Sequence, residues 1–203
     1  MTLRVTLRVT LRATSRVISR IISRSAKISA RRSLSVLSGL IMLLALNSCG
    51  DYRSEETCAD SIARGDKGRF EVNKEGFAKD IESGVTWYRC SAGQRYSNFR
   101  CKGEILFLNW QEAMDYATEF SEKSGVVWRL PTDSEMQSVT EEACVAPAIN
   151  HNVFPDIAVE NHWTSSQGLH QDIFRCAVNT YSGRLSCRQA RAVAQPFMLV
   201  RED

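Results

Sequence analysis

Hydrophobic and polar positions divide the chain into three consecutive parts. In residues 1–33 arginine recurs every four residues from Arg4 to Arg24, and residues 34–46 (LSVLSGLIMLLAL) form an uncharged apolar run. From residue 49 onward, short apolar stretches alternate with polar turns, which is typical of a globular domain. The pattern therefore predicts an N-terminal segment, residues 1–48, that differs in kind from the folded part behind it.

Two helices are predicted in the first half of the folded part. Asn109 is a favourable N-cap and Glu112 follows three residues later, which is the spacing of a capping box. Apolar residues then recur at helical spacing on one face, and Gly125 is a typical C-terminal stop. A second helix is predicted after Thr132, because Glu135 repeats the capping spacing.

Short strands are predicted on both sides of these helices, and they are separated by turn residues. The predicted fold class is therefore α+β, with two helices and a small antiparallel sheet. The predicted strands are Arg69–Val72, Val85–Tyr88, Val126–Leu130, His162–Ser165, Ile173–Val178, Leu185–Ala192 and Phe197–Arg201.

Charge supports the same division of the chain. Residues 1–33 hold nine basic and no acidic side chains, whereas the 155 residues from Cys49 onward hold 17 basic and 23 acidic side chains and so a net charge of −6. Because an acidic domain is a poor general binder of nucleic acid, we exclude nucleic acid as a partner. The polar stretch 49–66 is interpreted as a tether, and residues 67–203 as one folded domain.

The first two parts are typical of an export signal. A membrane-spanning helix needs about 20 apolar residues, so a shorter run behind a basic stretch predicts a secretory signal over residues 1–48. Leu46–Gly50 (LNSCG) resembles the bacterial lipobox, which implies lipid attachment to Cys49 and a place in the cell envelope, at the outer membrane or the periplasmic face. An uncleaved anchor and an ordinary signal peptide are the alternatives. The arginine repeat is interpreted as a long basic start of this signal, with a helix on the membrane surface as the alternative.

Six cysteines follow Cys49, and an even number in an exported domain predicts three disulfides. Cys90–Cys101 is favoured because the pair closes a short polar loop. Cys176–Cys187 is favoured because the two residues flank a predicted hairpin turn at residues 179–183. Cys58–Cys144 then follows by elimination. No metal site is predicted, because the chain lacks a Cys-x-x-Cys motif and its three histidines are widely spaced.

Several motifs occur in an order that resembles the Lcl C-terminal domain family, from about Asp80 to Arg201. The resemblance implies an adhesin whose relatives bind sulfated polysaccharide. The WRLPT segment is also similar to the formylglycine-generating, C-type-lectin-like superfamily, which implies a C-type-lectin-like domain stapled by disulfides. The motifs are Ser83–Cys90 (SGVTWYRC), Asn109–Ala113 (NWQEA), Trp128–Thr132 (WRLPT), Pro147–Asn150 (PAIN), His162–Ser166 (HWTSS) and Leu199–Arg201 (LVR).

The most recognisable motif residues are interpreted as structural. A guanidinium in an apolar run is tolerated only when it is paired or reaches the surface, so we expect Arg129 to bond a carboxylate or carbonyl groups. The tryptophans are expected to pack in the core, with one N–H each to satisfy. The structural residues are Trp128, Arg129, Leu130, Pro131, Thr132 and Trp163.

Five late arginines are the candidate ligand-binding residues, since no acidic residue lies among them in an otherwise acidic domain. The paired N–H donors of arginine suit sulfate and phosphate groups. We therefore expect the C-terminal strands to display a basic patch for an anionic polysaccharide, with ordinary solvated strand faces as the alternative. The residues are Arg175, Arg184, Arg188, Arg191 and Arg201.

Catalysis finds little support in the sequence. The chain lacks a Gly-x-Ser-x-Gly elbow. The oxidase activity of the formylglycine-generating superfamily would need a redox pair of cysteines, whereas each of the six cysteines after Cys49 has a predicted disulfide partner. We therefore expect a lipid-anchored binding module that is not an enzyme and uses no cofactor. One alternative is an assembly protein that binds another envelope protein. The other is an enzyme related to that superfamily.

Overall fold

The computed structural model describes residues 55–202, so the predicted signal segment 1–48 and the predicted lipidation site Cys49 lie outside the described residues. This part is an α+β fold, as the sequence predicts, and it contains three disulfides. Its helices are α1 (Cys58–Ser61), α2 (Trp110–Ser124) and α3 (Asp133–Ser138). Its strands are β1 (Phe70–Val72), β2 (Phe77–Asp80), β3 (Val85–Tyr88), β4 (Arg95–Ser97), β5 (Arg100–Lys102), β6 (Asn161–Gln167), β7 (Phe174–Asn179), β8 (Arg184–Ala190) and β9 (Val200–Glu202).

The strands form three antiparallel sheets in the described residues, rather than the single sheet that the sequence predicts. Four strands pair in the order β1-β2-β3-β9, three pair in the order β6-β7-β8, and β4 and β5 form a separate hairpin. In the first sheet Ala78 is paired with Trp87, and Trp87 with Val200, so β9 lies beside β3. The local pattern marks strands but not their partners, because pairing depends on contacts between residues that are distant in the chain.

The two longer helices begin where the sequence predicts, because their caps make the expected bonds. The Asn109 side chain accepts from the Glu112 N–H at 3.1 Å, and the Glu112 carboxylate accepts from the Asn109 N–H at 3.0 Å. Thr132 and Glu135 form the same capping box at α3. Helix α2 ends at Gly125, whose φ of 69° is left-handed. Within residues 55–202, no helix combines the length and the apolar composition that crossing a bilayer requires.

Two large clusters of buried side chains form most of the core of the described residues, and a small third one joins Cys90, Tyr96 and Cys101. The first packs the four-stranded sheet against α3 and β7, and its members include Trp87 and Met136. The second packs α2 against β6 and the segment before β9, and its members include Trp110, Trp163 and Phe197. Each of the two large clusters therefore joins elements from the two ends of the domain.

Each disulfide fixes a different part of this fold, and the three pairs are the ones that the sequence analysis favours. Cys90–Cys101 lies at the base of the β4–β5 hairpin, and Cys176–Cys187 joins β7 to β8 where their register shifts. Cys58–Cys144 spans 86 residues of sequence and holds α1 beside Val145, which forms a parallel bridge with Thr57. Residues 55–61, within the predicted tether, are thus attached to the domain by this bond.

Some predicted elements differ from the structure. The predicted strand Val126–Leu130 is wrong, since Val127 is 79% exposed and Arg129 alone forms a bridge there, to Val200. The β-branched residues Val126 and Val127 favour a strand, but in the structure they form an exposed connection after the end of α2. The last strand begins at Val200 rather than Phe197. The backbone groups before Val200 form hydrogen bonds with several different segments, so they make no regular ladder with one neighbouring strand. Helix α1, strand β2 and the β4–β5 hairpin were not predicted.

Candidate functional site

A basic groove lies where the loop after α1 meets the first sheet. Its volume is about 540 Å³, which is within the range of small-ligand sites. Four of its ten lining residues carry a positive charge and none carries a carboxylate, although the domain as a whole is acidic. Glycine, three neutral polar residues and the apolar side chains of Val72 and Phe99 complete the walls. The cations are Arg64, Lys67, Lys74 and Arg89.

Asparagine side chains fix the loop after α1 against the rest of the domain. Asn152 Nδ2 donates to the Ala63 carbonyl at 3.0 Å, and Asn152 Oδ1 accepts from the Gly65 N–H at 3.0 Å. Asn150 Nδ2 donates to the Asp66 carbonyl at 3.1 Å. Arg64 and Lys67 belong to this loop, so these hydrogen bonds fix the backbone positions of two of the groove's cations.

Arg89 is the buried cation of the groove. The residue is only 4% exposed, and its guanidinium donates to the Val153 carbonyl at 2.6 Å, the Asn152 carbonyl at 3.0 Å and the Tyr96 hydroxyl at 2.6 Å. Burial lowers the pKa of this guanidinium, and Tyr96 opposes that shift. None of the acceptors is a carboxylate, and no ion pair found within residues 55–202 includes Arg89.

A buried charge of this kind is costly without a counter-ion. A guanidinium also has more N–H donors than the three bonds of Arg89 use. Arg89 can therefore bind an anion that enters the groove, and such an anion would supply the missing negative charge.

His151 adds a buried nitrogen to the same groove. Its Nδ1 atom has no hydrogen-bond partner among the described residues. A ring nitrogen of histidine donates or accepts according to its tautomer, and both nitrogens donate in the charged form. The Nδ1 atom is itself closed to solvent, so a groove ligand would reach it only after a shift of the surrounding side chains.

Phe99 forms one wall of the groove at the tip of the β4–β5 hairpin, and it is 78% exposed. Asn98 and Phe99 are the two central residues of the turn, with φ of 52° and 62°, as in a type I′ turn. The Cys90–Cys101 disulfide fixes the base of the hairpin, and Arg100 forms an ion pair with Asp156. Hydrogen bonding to Arg100 holds the pKa of Asp156 below its usual value. The ring is therefore presented on a firmly held turn.

Two of the five candidate arginines are used in packing. The guanidinium of Arg175 lies 4.2 Å from the ring centroid of Trp110, and the residue is only 7% exposed. Burial, and then the charge of nearby Arg191, lower the pKa of Arg175. Arg201 lies over the ring of Phe77 at 5.1 Å and over that of Trp128 at 5.3 Å. These two side chains cover aromatic rings rather than extending into solvent.

The other three arginines are on β8 or just after it. Arg184 and Arg188 are exposed and Arg191 is half-buried. Arg184 is paired with Asn179 at one end of the strand, while Arg188 lines a smaller groove of about 370 Å³ near the other end. The structure therefore does not bring the five candidate arginines together on one exposed face.

The WRLPT segment is held by internal bonds. Arg129 donates to both carboxylate oxygens of Glu135, at 2.8 and 2.7 Å, as expected from the sequence. Hydrogen bonding to Arg129 lowers the pKa of Glu135 against the opposing effect of burial. The same carboxylate accepts from the Thr132 N–H at 2.7 Å, so one acid serves both the cation and the helix start. The buried members of the motif set are Trp128, Leu130, Pro131 and Trp163.

One group of potential metal ligands lies at a disulfide. The Sγ atoms of Cys176 and Cys187 and a carboxylate oxygen of Asp133 lie within 4.8 Å of one another. Cysteine binds metals as a thiolate, and these two sulfurs are instead bonded to each other. Asp133 also accepts a hydrogen bond from the Ser166 hydroxyl at 2.8 Å. We assign no metal or cofactor to this group.

The residues of the basic groove are scattered along the chain, so no local sequence pattern marks the groove. Arg64 falls in the predicted tether, and Lys67 and Lys74 stand among acidic residues that dilute the local charge. One signal was present: Arg89 directly follows the apolar strand β3, as Arg129 follows an apolar run. A cation beside a buried strand needs hydrogen-bond or ion-pair partners. Only the structure shows that the partners of Arg89 are carbonyl and hydroxyl oxygens rather than a carboxylate.

Comparison with known proteins supports the family interpretation. A sequence model of the Lcl C-terminal domain matches residues 76–201, which contain β2 and most of the elements after it. Arg89, Phe99 and His151 lie inside this match, whereas Arg64, Lys67 and Lys74 precede it. No curated protein matches the chain. Because the matched region covers more than half of the sequence, the chain belongs to the Lcl C-terminal domain family.

Proposed function

We propose that this protein is an exported, lipid-anchored component of the bacterial cell envelope that binds an anionic polysaccharide without catalysing a reaction. The basic groove carries the proposal. Arg89 supplies a buried charge without a carboxylate partner, and Arg64, Lys67 and Lys74 supply exposed charges around it. Sulfate or carboxylate groups on a polysaccharide fit such a site, because they pair with guanidinium and ammonium donors.

The binding module is proposed to be C-type-lectin-like and to serve adhesion. The similarity of the WRLPT segment to that superfamily supports this assignment. So does the arrangement around it, in which the segment joins α2 to α3 and its arginine is bonded within the domain. A firmly held surface loses little conformational freedom when it binds, which favours recognition of an extended polymer by surface contacts.

Binding is tested by retention of the protein on heparin–agarose, with elution by a salt gradient. We expect Lys67→Ala combined with Lys74→Ala to lower the eluting salt concentration, because each lost cation removes a screened charge contact. Arg184→Ala combined with Arg188→Ala removes the same charge from β8 and is the matched control. Failure of the protein to bind at low salt, or an equal loss for both variants, would exclude the groove as the site.

Export and lipid attachment rest on the N-terminal sequence pattern. The disulfides support export, because all six cysteines within residues 55–202 are paired and disulfides persist in oxidising compartments. We expect Cys49→Ser to abolish incorporation of labelled palmitate and to release the protein from the membrane fraction. Unchanged labelling of this variant would rule out Cys49 as the attachment site.

A further inference from the structure

Phe99 occupies a position that neither its backbone nor its packing favours. A type I′ turn prefers glycine at its second central position, and a bulky residue with positive φ is an outlier. Phe99 has a φ of 62° and is 78% exposed. Among the described residues it takes part in none of the ring–ring or cation–ring contacts found. The ring therefore gains little from folding, although it sits on a strained turn.

The surroundings of Phe99 show what the ring can contact. Its side chain lines the basic groove together with Arg89 and His151. The Arg100–Asp156 ion pair and a bond from the Cys101 N–H to Asp156 at 2.9 Å hold the turn in place. The groove thus combines a fixed apolar ring face with cationic side chains that can pair with an anion.

We propose that Phe99 is a stacking platform that makes the groove selective for a sugar ring bearing a sulfate or carboxylate group. The apolar C–H face of the sugar packs on Phe99, and its anionic substituent pairs with the groove's cations, Lys67 and Lys74 at the surface and Arg89 beneath them. This inference rests on the proposed function and specifies the repeating unit that the groove recognises. It assigns to Phe99 a selectivity that charge alone cannot provide.

The observations favour a sugar over other polyanions. Polyphosphate has charge but no ring to place on Phe99. Single-stranded nucleic acid is bound by grooves in which successive bases stack on several aromatic residues. Phe99 is the one phenylalanine, tyrosine or tryptophan among the residues lining this groove, and the surrounding domain is acidic. Asn73 adds a neutral amide, which suits the hydroxyl groups of a sugar.

The test compares three probes on the full-length protein purified in mild detergent: dextran sulfate, polyphosphate and single-stranded oligo-dT. We expect Phe99→Ala to weaken binding of dextran sulfate roughly tenfold and to leave binding of polyphosphate unchanged, because only the first probe has a ring to stack. Phe99→Trp retains a larger aromatic face and should keep the affinity for dextran sulfate. Lys67→Ala combined with Lys74→Ala should weaken both polymers.

The outcomes separate this inference from the function on which it rests. If Phe99→Ala binds dextran sulfate as wild type does while the lysine variant does not, the groove binds charge alone and the platform is rejected. Tighter binding of oligo-dT than of dextran sulfate, lost in Phe99→Ala, would replace the sugar with nucleic acid. If no polyanion binds the wild type, both the proposed function and this inference fail.

Discussion

At the scale of single residues, the buried charges of this domain differ in how they are compensated. Asp80 is 1% exposed and accepts from Arg69 Nε at 2.9 Å through both of its oxygens. Arg129 has the carboxylate of Glu135. Arg89 bonds only carbonyl and hydroxyl oxygens, although it is more deeply buried than Arg129. Buried Arg175 also lacks a carboxylate among the described residues, but its guanidinium lies over the Trp110 ring, whereas Arg89 lines the basic groove.

His162 makes the stability of the domain depend on pH. The residue is fully buried, and burial lowers the pKa of its imidazole to about 4, while a hydrogen bond with the Glu160 carbonyl opposes the shift. In an unfolded chain this pKa is about 6.5. Between these values the unfolded state binds a proton that the folded state does not. The stabilising contribution is therefore complete above about pH 6.5 and is lost as the pH falls toward 4.

We expect the free energy of unfolding to fall by about 3 kcal/mol through this residue between neutral pH and pH 4. Denaturant unfolding at a series of pH values measures the effect. His162→Phe should remove this component of the pH dependence, whereas the same substitution at exposed His170 should not. Equal pH dependence in wild type and His162→Phe would show that His162 does not control acid stability.

At the scale of secondary-structure elements, the β4–β5 hairpin shows a conflict between stability and the proposed binding. We expect Phe99→Gly to raise the free energy of unfolding by about 1 kcal/mol, because glycine adopts positive φ without steric cost. Asn98→Gly should give a smaller gain, since asparagine already tolerates this region. Thermal unfolding of the two variants measures the difference. A loss of stability in Phe99→Gly would mean that the ring packs favourably in the turn.

The elements that the sequence predicts well are those specified by neighbouring residues. Helices α2 and α3 begin at capping boxes whose partners are three residues apart, and Gly125 ends α2 locally. Strand β2 and the β4–β5 hairpin were missed because their residues are mostly polar and their pairing partners, rather than an apolar pattern, define them. Val126 and Val127 led to the opposite error, a predicted strand that does not form, because these apolar β-branched residues are exposed in the structure.

At the scale of the whole molecule, the candidate site could not be predicted because tertiary contacts assemble it. Arg64 comes from the loop after α1, Arg89 from the end of β3, Phe99 from the hairpin tip and His151 from the loop after α3. The five late arginines, although close in sequence, separate because strand alternation and the shift in β7–β8 register send them to different surroundings. Proximity in sequence was therefore a poor guide to proximity in space.

The Cys58–Cys144 disulfide should contribute most of the three to stability. A bond that closes a longer loop restricts the unfolded chain more, and this one spans 86 residues, against 11 for Cys90–Cys101. We expect Cys58→Ser combined with Cys144→Ser to lower the free energy of unfolding by about 4 kcal/mol, and Cys90→Ser combined with Cys101→Ser by about 3 kcal/mol. Calorimetric melting of both variants tests this order, and the reverse order would contradict it.

The same bond also determines how a mechanical load would travel through the chain. Arg64 and Lys67 follow Cys58 in sequence, inside the covalent loop that the disulfide closes. A pull applied before residue 58 passes through the sulfur atoms to Cys144 and bypasses residues 59–67. A load between the leading segment and the C-terminal strands would therefore leave the loop that carries Arg64 and Lys67 unstretched.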